Sequence, residues 1–411
     1  MINSGNLQKK AILSFGFLFF ALINVCLSFP ANSQAENIKI NNANSLEIVN
    51  DRLVLTGNVS VSTAGKESFK LFTSKLISVK DSSGDFSKIE CFGRSKIDSK
   101  KFTLMADKVF FYKKDKSDKF NQLDAKGNVV INSKDGFQQI QAPKVIIDLE
   151  TRKLYASQNV LSEQISKKND KYQKVTIRSL NQEIDLKEEL PNTEIPRKQL
   201  IATGNVITNL ENEASVQSDK TELFTLNSQA EKAIFDGNAS LQTVDGTEAE
   251  GDIITYDLIS QRLQIDSSPQ YNSNERKKSK LKVPFEEENG KQSEMIIEAD
   301  FIENQEKSES ERILTAQQFS DEELVELTYG TRKGWGRQLI INQNKLNPNK
   351  KGDYLVLVER AKIIDAKDNQ ILEAPVIKIG LGEKNLQSGF TGRANGLIPM
   401  KKKDGSKSSV F

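Results

Sequence analysis

The segment Ala125-Lys126-Gly127-Asn128-Val129-Val130-Ile131 decides the fold, because its pattern returns along most of the chain. Each copy has a glycine, a polar residue and then apolar residues at alternate positions. The anchor positions of the six copies are Gly57, Gly93, Gly127, Gln158, Gly204 and Gly237. They lie 36, 34, 31, 46 and 33 residues apart, and the long interval indicates an insertion within Gln164–Arg197. Such regular self-similarity predicts stacked units that share one core.

Each unit carries a second recurring element about halfway along. It is a small residue followed by aspartate or proline, and then by alternating apolar residues. The copies are Ala106-Asp107, Ala142-Pro143, Ser218-Asp219 and Gly251-Asp252, with fainter ones at Ala299-Asp300 and Ala374-Pro375. Alternation with period two predicts half-buried β-strands. Because Gly-Asn also reads as a turn, we expect each unit to hold about four strands of about 8 residues.

Helical signals are sparse. Residues before 300 contain no amphipathic helix of full length. Ser320-Asp321-Glu322-Glu323-Leu324 resembles a capping box, which predicts a short helix ending near Tyr329. The sequence therefore predicts an all-β protein made of antiparallel meanders of about 33 residues, with a less regular C-terminal region.

Composition excludes several classes of site. The 411 residues include no histidine and two cysteines, which excludes histidine-based catalytic triads and leaves no cysteine or histidine set for zinc. Lysine and arginine number 58 against 56 acidic residues, so no basic excess points to nucleic acid. We expect no catalytic residues, no cofactor and no metal, and the protein is not expected to be an enzyme.

The N-terminal residues 1–35 read as a secretory signal peptide. Lys9 and Lys10 precede the apolar run Ala11–Phe29, and small residues at Ser33 and Ala35 fit a cleavage site. The apolar run is 19 residues long, which also suits an uncleaved inner-membrane anchor. A third interpretation is a lipoprotein whose lipid is attached at Cys26. All three place the chain outside the cytoplasm, and the predicted location is the periplasm.

The remaining boundaries follow changes in composition and pattern. Residues 38–267 form the predicted repeat domain and 268–293 a charged linker. Residues 294–385 are a degenerate β region, and 386–411 read as a flexible basic tail.

The Gly-Asn-Val openings together with the mid-unit Ala-Asp-x-Val and Gly-Asp-x-Ile strands resemble the OstA/LptA-type lipopolysaccharide-transport domain. The resemblance covers residues 38–267 well and 290–382 poorly. It implies an elongated, folded-over β-jelly roll, or β-taco, whose apolar groove binds the acyl chains of lipopolysaccharide. It implies transport across the periplasm, from an inner-membrane extraction complex to an outer-membrane translocon, in outer membrane biogenesis. The chain is longer than a single-domain bridge of this kind, so a bridge and an extractor-like role both stay open.

Strand alternation gives the candidate groove-lining residues. They are Val59, Val61, Val109, Phe111, Val129, Ile131, Val145, Ile147, Val206, Leu241, Ile254 and Tyr256. Each would equally serve as ordinary sandwich core, and a shift of one residue would exchange the two faces. Free strand edges at the ends of such a stack suggest pairing with partners, including head-to-tail self-association. The alternative function is a structural or adhesive surface repeat protein.

Overall fold

A computed structural model describes most of the chain. The described residues are 39–50, 52–62, 69–80, 86–100, 102–113, 120–134, 136, 138–168, 171–186, 197–226, 229–267, 278–286, 292–308, 311–344, 353–367, 369–380, 388–391 and 395–397. The predicted signal peptide, residues 1–35, lies outside them. All 26 elements in these ranges are β-strands, and the described ranges contain no helix, which confirms the all-β prediction.

The chain divides into two compact units, residues 1–235 and 236–411. The strands of the first unit are β1 Lys39–Asn42, β2 Ser45–Val49, β3 Arg52–Ser62, β4 Phe69–Lys80, β5 Phe86–Ser99, β6 Phe102–Tyr112, β7 Gln122–Ser133, β8 Gln138–Asp148, β9 Lys153–Lys168, β10 Lys171–Asp185, β11 Arg197–Leu210 and β12 Ala214–Leu226. Strand β13, Gln229–Thr243, crosses the division. The predicted boundary at 267 differs from this division by about one repeat.

Within the first unit, each strand from β3 to β12 pairs antiparallel with the next one along the chain. These strands are 11 to 16 residues long, and each repeat contributes two of them. The predicted four short strands per repeat were wrong, although the antiparallel meander is confirmed. The reason is that Gly-Asn does not reverse the chain.

The Gly-Asn pairs are bulges in the middle of long strands. Gly127 and Asn128 have φ values of 73° and 44°, and the ladder with β8 sets these two residues against Pro143 alone. The same two-against-one arrangement recurs at Gly57, where the register shifts between Thr56 and Val59. Bulges of this type bend a strand and increase its twist. The two recurring sequence elements therefore face each other across the ladder. The Gly-Asn bulge of one strand lies opposite the Asp or Pro of the next strand, as at Pro143 and Asp219.

The bulges align across the sheet and divide every long strand into two halves. We call the half containing Arg52–Thr56 of β3, with the segments paired to it, the first arm. The second arm contains Val59–Ser62 of β3 and the segments paired to that stretch. Each arm has one buried face, since buried residues alternate on both sides of each bulge.

Side-chain size on the buried faces increases away from the bulges. Small residues dominate the second-arm row beside the bulges, which is Val59, Thr73, Ser95, Ala106, Val129, Ala142, Val160, Ser179, Val206 and Ser218. The next row is mostly larger, with Val61, Leu71, Ile97, Leu104, Ile131, Ile140, Ser162, Ile177, Thr208 and Val216. This gradient fits a wedge, because two arms that diverge from a bend leave more space with distance from it.

The second unit contains shorter strands. They are β14 Glu248–Asp257, β15 Arg262–Asp266, β16 Ser279–Glu286, β17 Gln292–Ala299, β18 Phe301–Glu306, β19 Glu311–Gln317, β20 Val325–Tyr329, β21 Arg332–Gly336, β22 Gln338–Asn344, β23 Tyr354–Asp365, β24 Gln370–Gly380, β25 Ser388–Thr391 and β26 Asn395–Leu397. One ladder runs β14–β16–β17–β20–β21–β23, and the other runs β14–β15–β18–β19–β22–β23. The ladders therefore share their first and last strands.

The degenerate repeats have separate half-strands where the first unit has one bent strand. Asp300 alone connects β17 with β18, and Arg337 alone connects β21 with β22. Strand β23 regains the long form, with Glu359 and Arg360 at φ 59° and 54° opposite Pro375. The faint repeats at Asp300 and Pro375 therefore occupy the same kind of position as Asp107 and Pro143.

One local prediction is wrong here. The helix expected from Ser320 to Tyr329 is absent, because Val325–Tyr329 is strand β20, paired with β17 and β21. Its β-branched and aromatic residues at alternate positions suit a ladder more than a helix. The predicted linker 268–293 contains strand β16, and the predicted tail 386–411 contains β25 and β26, both paired with β24.

Candidate functional site

The predicted groove-lining residues lie on the buried faces of the arms. Val109, Val145, Ile147 and Ile254 have no exposed surface, and Phe111 retains 7%. Val59, Val61, Val129, Ile131, Val206 and Leu241 are also buried, whereas Tyr256 is half-buried. These residues are therefore mostly buried, and the same burial is what an ordinary core would show.

Cross-strand pairing brings subsets of these residues together. On the first arm, Val109 and Val145 both pair with Ala125 of β7, and Phe111 and Ile147 both pair with Leu123. On the second arm, Ile131 lies between Leu104 and Ile140. Ile254 belongs to the second unit, where it pairs with Ile265. The candidate site is consequently best described in the first unit.

A small cavity lies between the two arms of the first unit. Its volume is about 30 Å³. The second arm contributes Ile140, Val175 and Ile177, and the first arm contributes Ile184, Leu200 and Leu223. Because one cavity is lined from both arms, the buried faces of the arms oppose each other at β8–β12.

Polar groups near this cavity are the part that sequence reasoning missed. Gln182 is 2% exposed on the inner face, and its amide donates a 3.1 Å hydrogen bond to the carbonyl oxygen of Ile177 across the bulge. Its Oε1 atom, and that of Gln199 at the cavity wall, have no hydrogen-bond partner among the described residues. The available signal was the alternation Gln182, Ile184, Leu186, which lies within the predicted insertion. Strand β10 is instead a regular strand of the sheet.

Five glycines mark the repeat anchors, and all have positive φ values: Gly57, Gly93, Gly127, Gly204 and Gly237. Four of them also lack space for a side chain. A Cβ atom at Gly127 would lie 2.4 Å from Oδ2 of Asp107 on the preceding strand. Asp107 is held there by Nδ2 of Asn128 at 2.9 Å and by Nη1 of Arg94 at 3.3 Å. The repeated motif therefore encodes the bend and not a chemical site.

Titratable groups in the described residues were compared with the requirements of a metal site. The search for groups of three or more potential metal ligands finds none in this part of the chain. Burial, with Asp252 and Asp300 nearby, raises the pKa of Asp266. Glu303 shows the opposite direction: burial would raise its pKa, but hydrogen bonds from Arg262 and Gln264 outweigh this effect and lower it. The Arg262–Glu303 pair therefore connects strands β15 and β18.

Cys91 provides a test of how tightly the interior is packed. It has no exposed surface, and burial, together with the Glu90 carboxylate, raises the pKa of its thiol to about 12. Because the thiolate is the reactive form, we expect no alkylation by iodoacetamide at pH 8 in the native protein and rapid alkylation in urea. Peptide mass spectrometry distinguishes Cys91 from Cys26. Rapid native-state labelling of Cys91 would show that the arms open readily.

No helix in the described ranges is long and apolar enough to span a membrane. No protein-family model matches this chain, and no curated protein sequence matches it.

Proposed function

We propose that this chain is a non-enzymatic lipid carrier of the bacterial periplasm. In this proposal it shields the acyl chains of lipopolysaccharide between the two arms during transport to the outer membrane. The observation that supports it is the pair of opposed apolar faces with a cavity between them. Burying acyl chains in such an interior is favourable by about 0.8 kcal/mol per methylene group.

The bent strands provide a means of opening. Val109, Val145 and Ile147 on the inner face have no exposed surface, so a lipid has to separate the arms to reach them. Every strand from β3 to β12 passes from one arm to the other at its bulge or at the residue opposite a bulge. These positions lie on one line across the sheet, and in this proposal that line acts as the hinge. Apolar contacts have no directional requirement, so a lipid can slide along the wedge once it is inside.

The N-terminal strands suit the partner contacts that such a carrier needs. In the described residues, β1 and β2 pair only with β3. Leu46, Ile48 and Val49 on β2 are 55%, 76% and 49% exposed. Edge strands with exposed apolar side chains favour pairing with another strand. We include in the proposal that this edge joins the inner-membrane extraction complex, the outer-membrane translocon or a second copy of the chain.

Photo-crosslinking tests whether lipid enters the wedge. We expect p-benzoylphenylalanine at Phe111 to crosslink to purified lipopolysaccharide, because this side chain lies on the inner face of the first arm with 7% exposure. The matched control is the same replacement at Phe72, which is 39% exposed on the outer face of the second arm. Mass spectrometry of the crosslinked peptides gives the yields at the two positions.

Circular dichroism has to show that both variants keep the native β signal. A crosslink at position 72 with none at 111, or equal yields at the two positions, would contradict the carrier proposal. Absence of any bound lipid in the well-folded chain by native mass spectrometry would do the same, and would favour a structural or adhesive role.

A further inference from the structure

The outer face of the first arm carries a row of lysines on four of five successive strands. Cross-strand pairing places Lys75 beside Phe92, Phe92 beside Lys108, and Lys108 beside Lys126. Lys126 in turn pairs with Lys144. Adjacent strands are about 4.8 Å apart, so the backbones of Lys108, Lys126 and Lys144 follow one another at strand spacing. We call Lys75, Lys108, Lys126 and Lys144 the lysine row.

The row has no counter-charge of its own. None of its four members forms an ion pair with any other residue in the described ranges, and three of them are exposed while Lys144 is half-buried. The nearest acids have other partners. Asp107 contacts Arg94 and Asn128, and Glu90 pairs with Lys88 at 2.5 Å. Asp124 is buried and accepts a 2.8 Å hydrogen bond from Gln122. Like charges placed directly opposite on paired strands are destabilising. Lys108, Lys126 and Lys144 are neighbours of this kind, and an external anion would relieve their repulsion.

Aromatic side chains accompany the lysines on this face. Phe92 and Phe110 make an edge-to-face contact with ring centroids 6.2 Å apart. The ammonium groups of Lys88 and Lys126 lie 5.6 and 5.3 Å from the centre of the Phe110 ring. The row of cross-strand pairs next to the lysine row runs from Asp124 through Ile146 to Tyr155, and Tyr155 is 39% exposed. Cations mixed with aromatic rings are typical of surfaces that meet the headgroup region of a membrane.

We propose that the lysine row docks the first unit on the surface of a bilayer that contains anionic phospholipids. The row is an exposed strip of flexible point charges, without the fixed bidentate donors that recognise one small anion. Such a strip complements a surface of many mobile phosphates. A basic excess over the whole chain is absent, as the formal net charge is +2, so the positive potential is local to this face. The inference goes beyond lipid carriage and does not depend on it.

The test is sedimentation of the full chain with vesicles. Equal mixtures of phosphatidylglycerol and phosphatidylcholine are compared with phosphatidylcholine alone at about 0.1 M salt, where the screening length is about 10 Å. The variant is K75Q/K108Q/K126Q/K144Q. Because each lysine near an anionic surface strengthens binding about fivefold, we expect the partition coefficient to fall about 10²–10³-fold. The matched control, K280Q/K333Q/K362Q/K367Q, removes the same charge from the second unit and should bind like the native chain.

Several outcomes would overturn the proposal. They are equal binding of the native chain to the two vesicle types, equal losses in the two quadruple variants, and binding to dextran sulfate without binding to vesicles, which would assign the row to a soluble polyanion. These vesicles contain no lipopolysaccharide, so this result and the Phe111 crosslinking result are independent. Circular dichroism has to show that both quadruple variants are folded.

Discussion

Replacing Arg332 by methionine is expected to lower the free energy of unfolding of the second unit by about 3 kcal/mol. Arg332 begins β21, and its Nε atom lies 2.9 Å from Oδ2 of Asp365 at the end of β23. The Asp365 side chain is 2% exposed, and Oδ1 accepts hydrogen bonds from Thr331 at 3.1 Å and the Lys367 amide at 3.0 Å. Removing the guanidinium leaves a buried carboxylate without its cation. The loss is at the lower end of the range for buried pairs because Arg332 keeps 22% exposure.

The pH dependence identifies the electrostatic part of this loss. Burial would raise the pKa of Asp365, but the hydrogen bond and charge of Arg332 outweigh burial and lower it. A pKa lowered by folding stabilises the native state above the unfolded-state pKa, and this contribution is lost as pH falls through the folded pKa. The difference between native and R332M proteins should therefore be largest near pH 7 and shrink below about pH 4.

Urea denaturation followed by fluorescence of Trp335 measures this effect, since Trp335 is the single tryptophan and lies on β21 beside the substitution. R332K keeps the positive charge and should lose less than R332M. A double variant, R332M/D365N, should recover part of the stability because no buried charge remains. A loss in R332M that is the same at pH 7 and pH 3.5 would instead assign the effect to packing.

Replacing Gly127 by alanine is expected to destabilise the first unit by about 3 kcal/mol. Two costs add. A side chain in the left-handed region costs about 1–2 kcal/mol, and φ here is 73°. The new Cβ atom would also lie 2.4 Å from Oδ2 of Asp107, so the Asp107–Asn128–Arg94 contacts would have to shift.

Gly136 provides a control that separates these costs. Its φ is 78°, but a Cβ atom there would meet nothing within 4 Å. G136A should therefore lose only the conformational part, about 1–2 kcal/mol. Calorimetric unfolding of both variants gives the comparison. Equal losses in G127A and G136A would show that Asp107 does not restrict position 127. If Asp107 does restrict it, the double variant D107A/G127A should regain part of the stability that G127A loses.

The sequence predicted the fold class because each repeat carries the alternation of a strand. Val129 and Ile131 share one face in the sequence pattern and in the structure alike, since side chains of a strand alternate whatever its partners are. The same argument placed Val109, Phe111, Val145 and Ile147 on buried faces. It failed for strand number, because a Gly-Asn pair is compatible with a hairpin turn and with a bulge, and only the pairing of Lys126 and Val129 with β8 distinguishes them.

What the sequence determined by itself was local: strand alternation, the positions of the repeated glycines, and the length of the repeat. Tertiary structure alone decided which residues become neighbours across strands. The lysine row lies on four of five consecutive strands but is spread over residues 75–144, and the Arg332–Asp365 pair joins residues 33 apart. Such neighbours depend on the register of the strand ladder. One extra residue at a bulge shifts this register by one residue, and no local sequence pattern specifies it.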